Sequence, residues 1–218
     1  MIVKWAQAIS SSFIETILMV GASGFLSAMI GIPLGILLYL TSKQNIVFTP
    51  YFNHILSIIV NAIRSIPFII LLVAVIPLTR LIVGTSIGTS ATIVPLTIAA
   101  IPFLARLIET ALREIDIGLI EAAESMGATK MQIVRKILIP EALPGMIAGL
   151  TVTLISLVSY SAMAGAIGGG GLGDMAIRYG YQRSETEVMW AIVLILIILV
   201  QLLQSFGDWL IKRVSHST

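Results

Sequence analysis

From Phe13 to Leu40 the chain carries a single charged residue, Glu15. About 20 mostly apolar residues suffice to cross the core of a bilayer, so this run exceeds the needs of one crossing. Lipid offers no partner to a backbone N–H or C=O. A segment dissolved in it must satisfy its own hydrogen bonds and therefore becomes a helix. The same constraint recurs along the chain. Of its 218 residues 57% are hydrophobic and 11% charged, with a mean hydropathy of +1.03; soluble domains run at about 45–50% and 25%. No polar region remains for a soluble domain, and the reading is one all-α integral membrane domain over residues 1–218. The absence of cysteine excludes disulfides and thiolate metal sites. The net charge of +2 comes from basic residues beside apolar spans. That pattern suits membrane topology and lipid contact, and nucleic-acid binding is not expected.

Five spans are read, at about 15–40, 63–83, 88–110, 143–167 and 188–211. The first apolar run is too long for a signal-peptide core and is expected to be retained as a span. Ser12 with Glu15 has capping-box spacing and is expected to start the first helix. Gly31, Pro33 and Gly35 predict close helix approach and a kink. Residues 51–63 predict an interfacial helix leading into Arg64-Ser65-Ile66-Pro67, with the proline in the first turn of the second span. Lys and Arg alone set orientation. Lys43, Arg106, Arg113, Lys130, Arg135, Lys136, Lys212 and Arg213 fall on one side. Lys4, Arg80, Arg178 and Arg183 fall on the other, with Arg64 near the inner boundary. The richer side is cytoplasmic, which puts the N-terminus outside, the C-terminus inside and the 111–142 connection in the cytoplasm.

Within that connection Leu119, Ala122, Ala123 and Met126 follow the spacing of one helical face, and Glu121, Glu124 and Ser125 lie off it. Gly127 is a natural helix stop, where left-handed backbone is free of strain. Thr129 with Gln132 has capping-box spacing and predicts a second helix from Lys130 to Ile139, ended by Pro140. The result is a rigid knob whose small alanines allow close approach to a partner. From these residues alone, an amphipathic helix lying on the membrane surface is the alternative.

Glu121-Ala122-Ala123, Gly127, then Ile137, Ile139 and Pro140 resemble the cytoplasmic signature of ABC-importer permeases, with isoleucine at 139 for the usual leucine. Arg64 to Leu72, Val83 to Gly88, Met126 to Thr129, Met131 to Lys136 and Gly171-Leu172-Gly173 resemble the permease subunit of bacterial methionine importers. The resemblance implies a type I ABC importer permease of the bacterial inner membrane, with five transmembrane helices and a cytoplasmic coupling helix. It further implies a homodimer, two ATP-binding subunits, and an extracytoplasmic binding protein that delivers L-methionine, the D-isomer or derivatives. ATP and Mg would sit on the partner ATPase, leaving this chain without a cofactor and without enzyme activity. The coupling residues would be Glu121, Ala122, Ala123, Met126, Gly127 and Ala128. The fourth span would lie at the dimer axis. There only Tyr160, Met163 and Ile167 project bulk, and Met163 is the candidate outer gate because a thioether repacks readily; plain packing is its alternative. Ser159 and Ser161 are candidates to line a polar path, or else to bond their own helix backbone.

The same residues bear on other functions. Gly168 to Gly173 matches Gly-x-Gly-x-x-Gly, but a dinucleotide site needs that pattern between a strand and a helix. Following an apolar span, it predicts a flexible turn. Gly21-Ala22-Ser23-Gly24 matches a rhomboid-type serine motif, yet His54 and His216 both lie outside the spans and supply no base. An ion-coupled secondary transporter usually carries intramembrane carboxylates. The acidic residues here fall at span ends or in loops, none near a midplane. A scaffold without transport activity conflicts with the coupling motif, whereas an ABC permease for another amino acid or a quaternary amine shares it.

Overall fold

The computed structural model describes residues 2–42 and 49–215, with side chains from Trp5 onward. Lys43, His216 and the side chain of Lys4 lie outside the described residues. Among those described, the secondary structure is helical, without strands. Among the described residues four helical runs are long and apolar enough to cross a membrane: Trp5–Leu40, Thr89–Arg113, Lys130–Gly165 and Thr186–Ser215.

Helix α1 spans Ile2–Leu40, well before the expected start at residue 15. Ser12 does not cap it. Its carbonyl accepts the Thr16 hydroxyl at 3.0 Å inside an unbroken helix, because no proline or glycine interrupts the preceding turns. Gly31 and Gly35 serve the close approach expected of them: a Cβ on Gly35 would stand 2.5 Å from the Ala105 carbonyl oxygen of α5, Thr89–Arg113. Lipid tails are as apolar as leucine, so helices associate in a membrane by such close packing rather than by escape from water. The central helix is α5, whose Leu96, Leu104, Ile108 and Leu112 are fully buried.

The helix expected at residues 51–63 forms and turns sharply at Pro67, but the span that follows, expected as one helix over 63–83, is itself broken at Val75. Helix α2, Pro50–Ser65, meets α3, Phe68–Ala74, at a bend of 102°. After Val75 a further short helix, α4, runs over Ile76–Val83. Pro67 and Pro77 lack the N–H that would carry the helical bonds across both breaks.

A knob helix, α6 (Ile117–Ser125), and a single turn, α7 (Lys130–Ile133), follow at one end of the bundle. Then α8, Ile139–Gly165, returns through it. At the opposite end α9, Gly171–Met175, precedes α10, Thr186–Ser215, which packs beside α8. The glycine run is not the flexible turn its composition predicts. Gly171 donates its N–H to Glu15 at 2.7 Å, Leu172 donates to the Thr16 hydroxyl at 2.9 Å, and the Thr92 hydroxyl donates to the Gly169 carbonyl at 3.2 Å. Gly173 is buried, and a Cβ there would collide with the Ala162 backbone. The glycines admit close packing rather than motion.

Candidate functional site

The knob is built from local bonds. Asp116 caps α6 by accepting the Gly118 N–H at 2.8 Å. At the other end Gly127 takes φ +78°, a conformation that strains any residue with a Cβ. Its N–H bonds the Glu124 carbonyl at 2.9 Å, and the Ala128 N–H reaches back to Ala123 at 3.0 Å. This nested pair is the Schellman stop. The Thr129–Gln132 capping box forms as expected, with Thr129 N–H donating to Gln132 at 2.8 Å. Thus the turn is fixed on both sides.

The expected stripe divides between two faces. Ala123 is buried, and with Ile120 and Ala128 it joins a core containing Tyr39, Ile108, Leu112, Ile133 and Leu138. Leu119, Ala122 and Met126 point away from the bundle, Met126 being 82% exposed. The edge that α6 rests on is centred between Ile120 and Ala123, so only one alanine of the pair remains available to a partner. Glu121 and Glu124 are exposed, and Ser125 donates its hydroxyl to the Glu121 carbonyl at 2.8 Å.

Pro140 does not end the second helix. Between α7 and α8, Val134–Leu138 form a π-type turn, and Ile139 N–H bonds the Val134 carbonyl. The wider register carries the helix past the missing proline N–H. The helical run is therefore continuous from Lys130 to Gly165, about 54 Å at 1.5 Å per residue. The knob sits at the foot of a lever that reaches the other end of the bundle.

Beside the knob lies a charge cluster that composition alone did not single out. Glu109 is 2% exposed and bonds both Arg106, at 2.5 Å, and Arg113, at 2.6 Å. Arg106 also donates to the Asn61 side chain at 2.9 Å, tying α5 to α2. The i, i+3 and i, i+4 spacing of these three residues was a legible signal; the tie to Asn61 was not.

Near the far end of the lever Tyr160 lies flat on Phe68, with ring centroids 4.6 Å apart. Met163 is exposed on the same helix as Tyr160, and Ile167 is exposed in the turn that follows it. Ser159 is exposed too. Ser161 is buried and bonds the Val158 carbonyl of its own helix at 2.8 Å, so it lines no path in this conformation.

The chain is thus a helical membrane bundle in which a capped two-helix knob leads directly into a span. The chain belongs to the family of binding-protein-dependent transport system inner membrane components, whose model matches residues 31–216. It is 56% identical over 202 residues to the "Probable D-methionine transport system permease protein MetI" of Vibrio cholerae, covering 93% of this chain and 90% of that protein. Over 151 residues it is 59% identical to the D-methionine transport system permease protein MetI of Escherichia coli K12, covering 69% and 70%. A solved structure of inward facing conformations of the MetNI methionine ABC transporter matches with a TM-score of 0.92 and 53% identity, over 94% of this chain and 95% of that one.

Proposed function

We propose that this chain is the transmembrane subunit of an ATP-driven, binding-protein-dependent importer of methionine, in the L- or D-form or as a derivative. It forms a single permease domain that works as a homodimer with two ATP-binding subunits and an extracytoplasmic binding protein. The broken α2–α3–α4 segment supplies the fifth crossing. The N-terminus is outside and the C-terminus cytoplasmic. ATP and Mg are held by the partner ATPase.

The observation that carries this reading is the exposed Leu119–Ala122–Met126 face on a knob rigidly joined to α8. ATP-driven closure of the ATPase pair draws the two knobs together. Because the helical run is unbroken from Lys130 to Gly165, that movement is delivered to Tyr160 and Met163 and to the turn that carries Ile167. The spans then rock from inward-open to outward-open, with Met163 as the outer apolar gate. An ion-coupled carrier is disfavoured: Glu109, buried among the described residues, is already neutralised by two arginines.

Co-purification with the ATPase and binding protein, then ATP hydrolysis measured against a panel of amino acids, tests the reading. Methionine is expected to stimulate. Stimulation by another amino acid or a quaternary amine instead reassigns the cargo, and uptake by the permease alone on an ion gradient overturns the mechanism.

A further inference from the structure

The sharp bend after α2 carries a cation, Arg64. Arg106, Arg113 and Arg178 are each bound to a carboxylate. No hydrogen bond, ion pair or ring contact among the described residues engages Arg64, which stands exposed at the bend. Arg64 borders a cavity of about 190 Å³ whose walls include Phe68, Leu71, Ala99, Phe103 and Tyr160. Drug-sized ligands need about 300 Å³ or more; a single amino acid needs less. Tyr160 belongs both to this cavity and to the α8 turn that precedes Met163, so the cavity adjoins the candidate gate.

The chemistry is specific. A guanidinium donates two parallel N–H bonds to a carboxylate, and an aromatic and aliphatic wall suits a thioether or another apolar side chain. Cations in membrane segments characteristically face substrate pathways. We propose that Arg64 binds the carboxylate of the transported amino acid while its side chain rests among Phe68, Phe103 and Tyr160. This rests on the amino-acid importer reading above. The site is a weak one, as a pathway requires: an exposed arginine holds a carboxylate long enough to orient it and releases it without a deep well.

The chain has no native cysteine, so Ala99→Cys places one thiol of the permease in the cavity. In permease–ATPase complexes in nanodiscs, without binding protein, maleimide labelling of that thiol is followed as methionine is added. Methionine is expected to protect it, and methioninol, which lacks the carboxylate, is not. Arg64→Met in the same background is expected to raise the half-protecting concentration about tenfold or more, with Arg64→Lys intermediate because charge survives and the fork is lost. Methionine-stimulated ATP hydrolysis with the binding protein present checks the importer reading separately. Normal stimulation with no protection, or with protection equal for methioninol or unchanged in Arg64→Met, overturns the site alone. Labelling that follows anionic lipid content and ignores methionine assigns Arg64 to a lipid phosphate and also overturns it.

Discussion

Ala122 and Ala123 are neighbours with different surroundings. Ala123 is 2% exposed in the core beneath α6, and Ala122 faces outward. Adding methylenes to a filled core destabilises by about 1–3 kcal/mol, so Ala123→Leu should lower the thermal stability of the purified permease. Ala122→Gln falls at an exposed position and should stay within about 0.5 kcal/mol of the parent. It should instead reduce co-purification with the ATPase. Thermal unfolding and pull-down of both variants check the split, and similar behaviour of the two would contradict the division of faces. Spacing placed both alanines on one stripe because a helical wheel records angles, not which edge a nine-residue helix rests on.

At the level of elements, what was legible depended on the sequence distance between partners. The Thr129–Gln132 box and the Gly127 stop are local devices whose bonds span at most five residues, and both form as expected. The Glu15 bond to Gly171 joins residues 156 positions apart, whereas local spacing assigns the same glutamate only a helix cap. Pro67 marked its break locally, but an apolar run across 63–83 still averages to one span. Pro140 failed as a stop because the π turn before it removes the need for its N–H. The Arg106–Glu109–Arg113 cluster ties α5 to α2 at the foot of the lever. Removing one partner of a buried pair costs about 3–5 kcal/mol. Arg113 is 57% exposed, and solvent screening reduces its share. Glu109→Gln should therefore destabilise by about 2 kcal/mol, read from thermal unfolding in detergent. No change in unfolding would mean that the cluster is solvated and leaves α2 untied.

For the whole molecule, orientation and coupling stand or fall together. The knob can meet a cytoplasmic ATPase only if the 111–142 connection is inside. Glu124→Cys, in a chain without native cysteine, should resist an impermeant thiol reagent in intact spheroplasts and react after permeabilisation. Reaction in intact spheroplasts would reverse the topology. The central claim is that α6 and the lever from Lys130 carry ATP energy into the spans, and Gly127→Pro addresses it most directly. Proline fixes φ near −65°, so it can neither adopt the +78° found at Gly127 nor donate the N–H that bonds Glu124. The measurement is ATP hydrolysis by the reconstituted importer, with and without binding protein and methionine, on variant complexes that insert and elute like the parent. A basal rate that persists and stimulation that disappears are expected; stimulation equal to the parent's would contradict coupling through the knob.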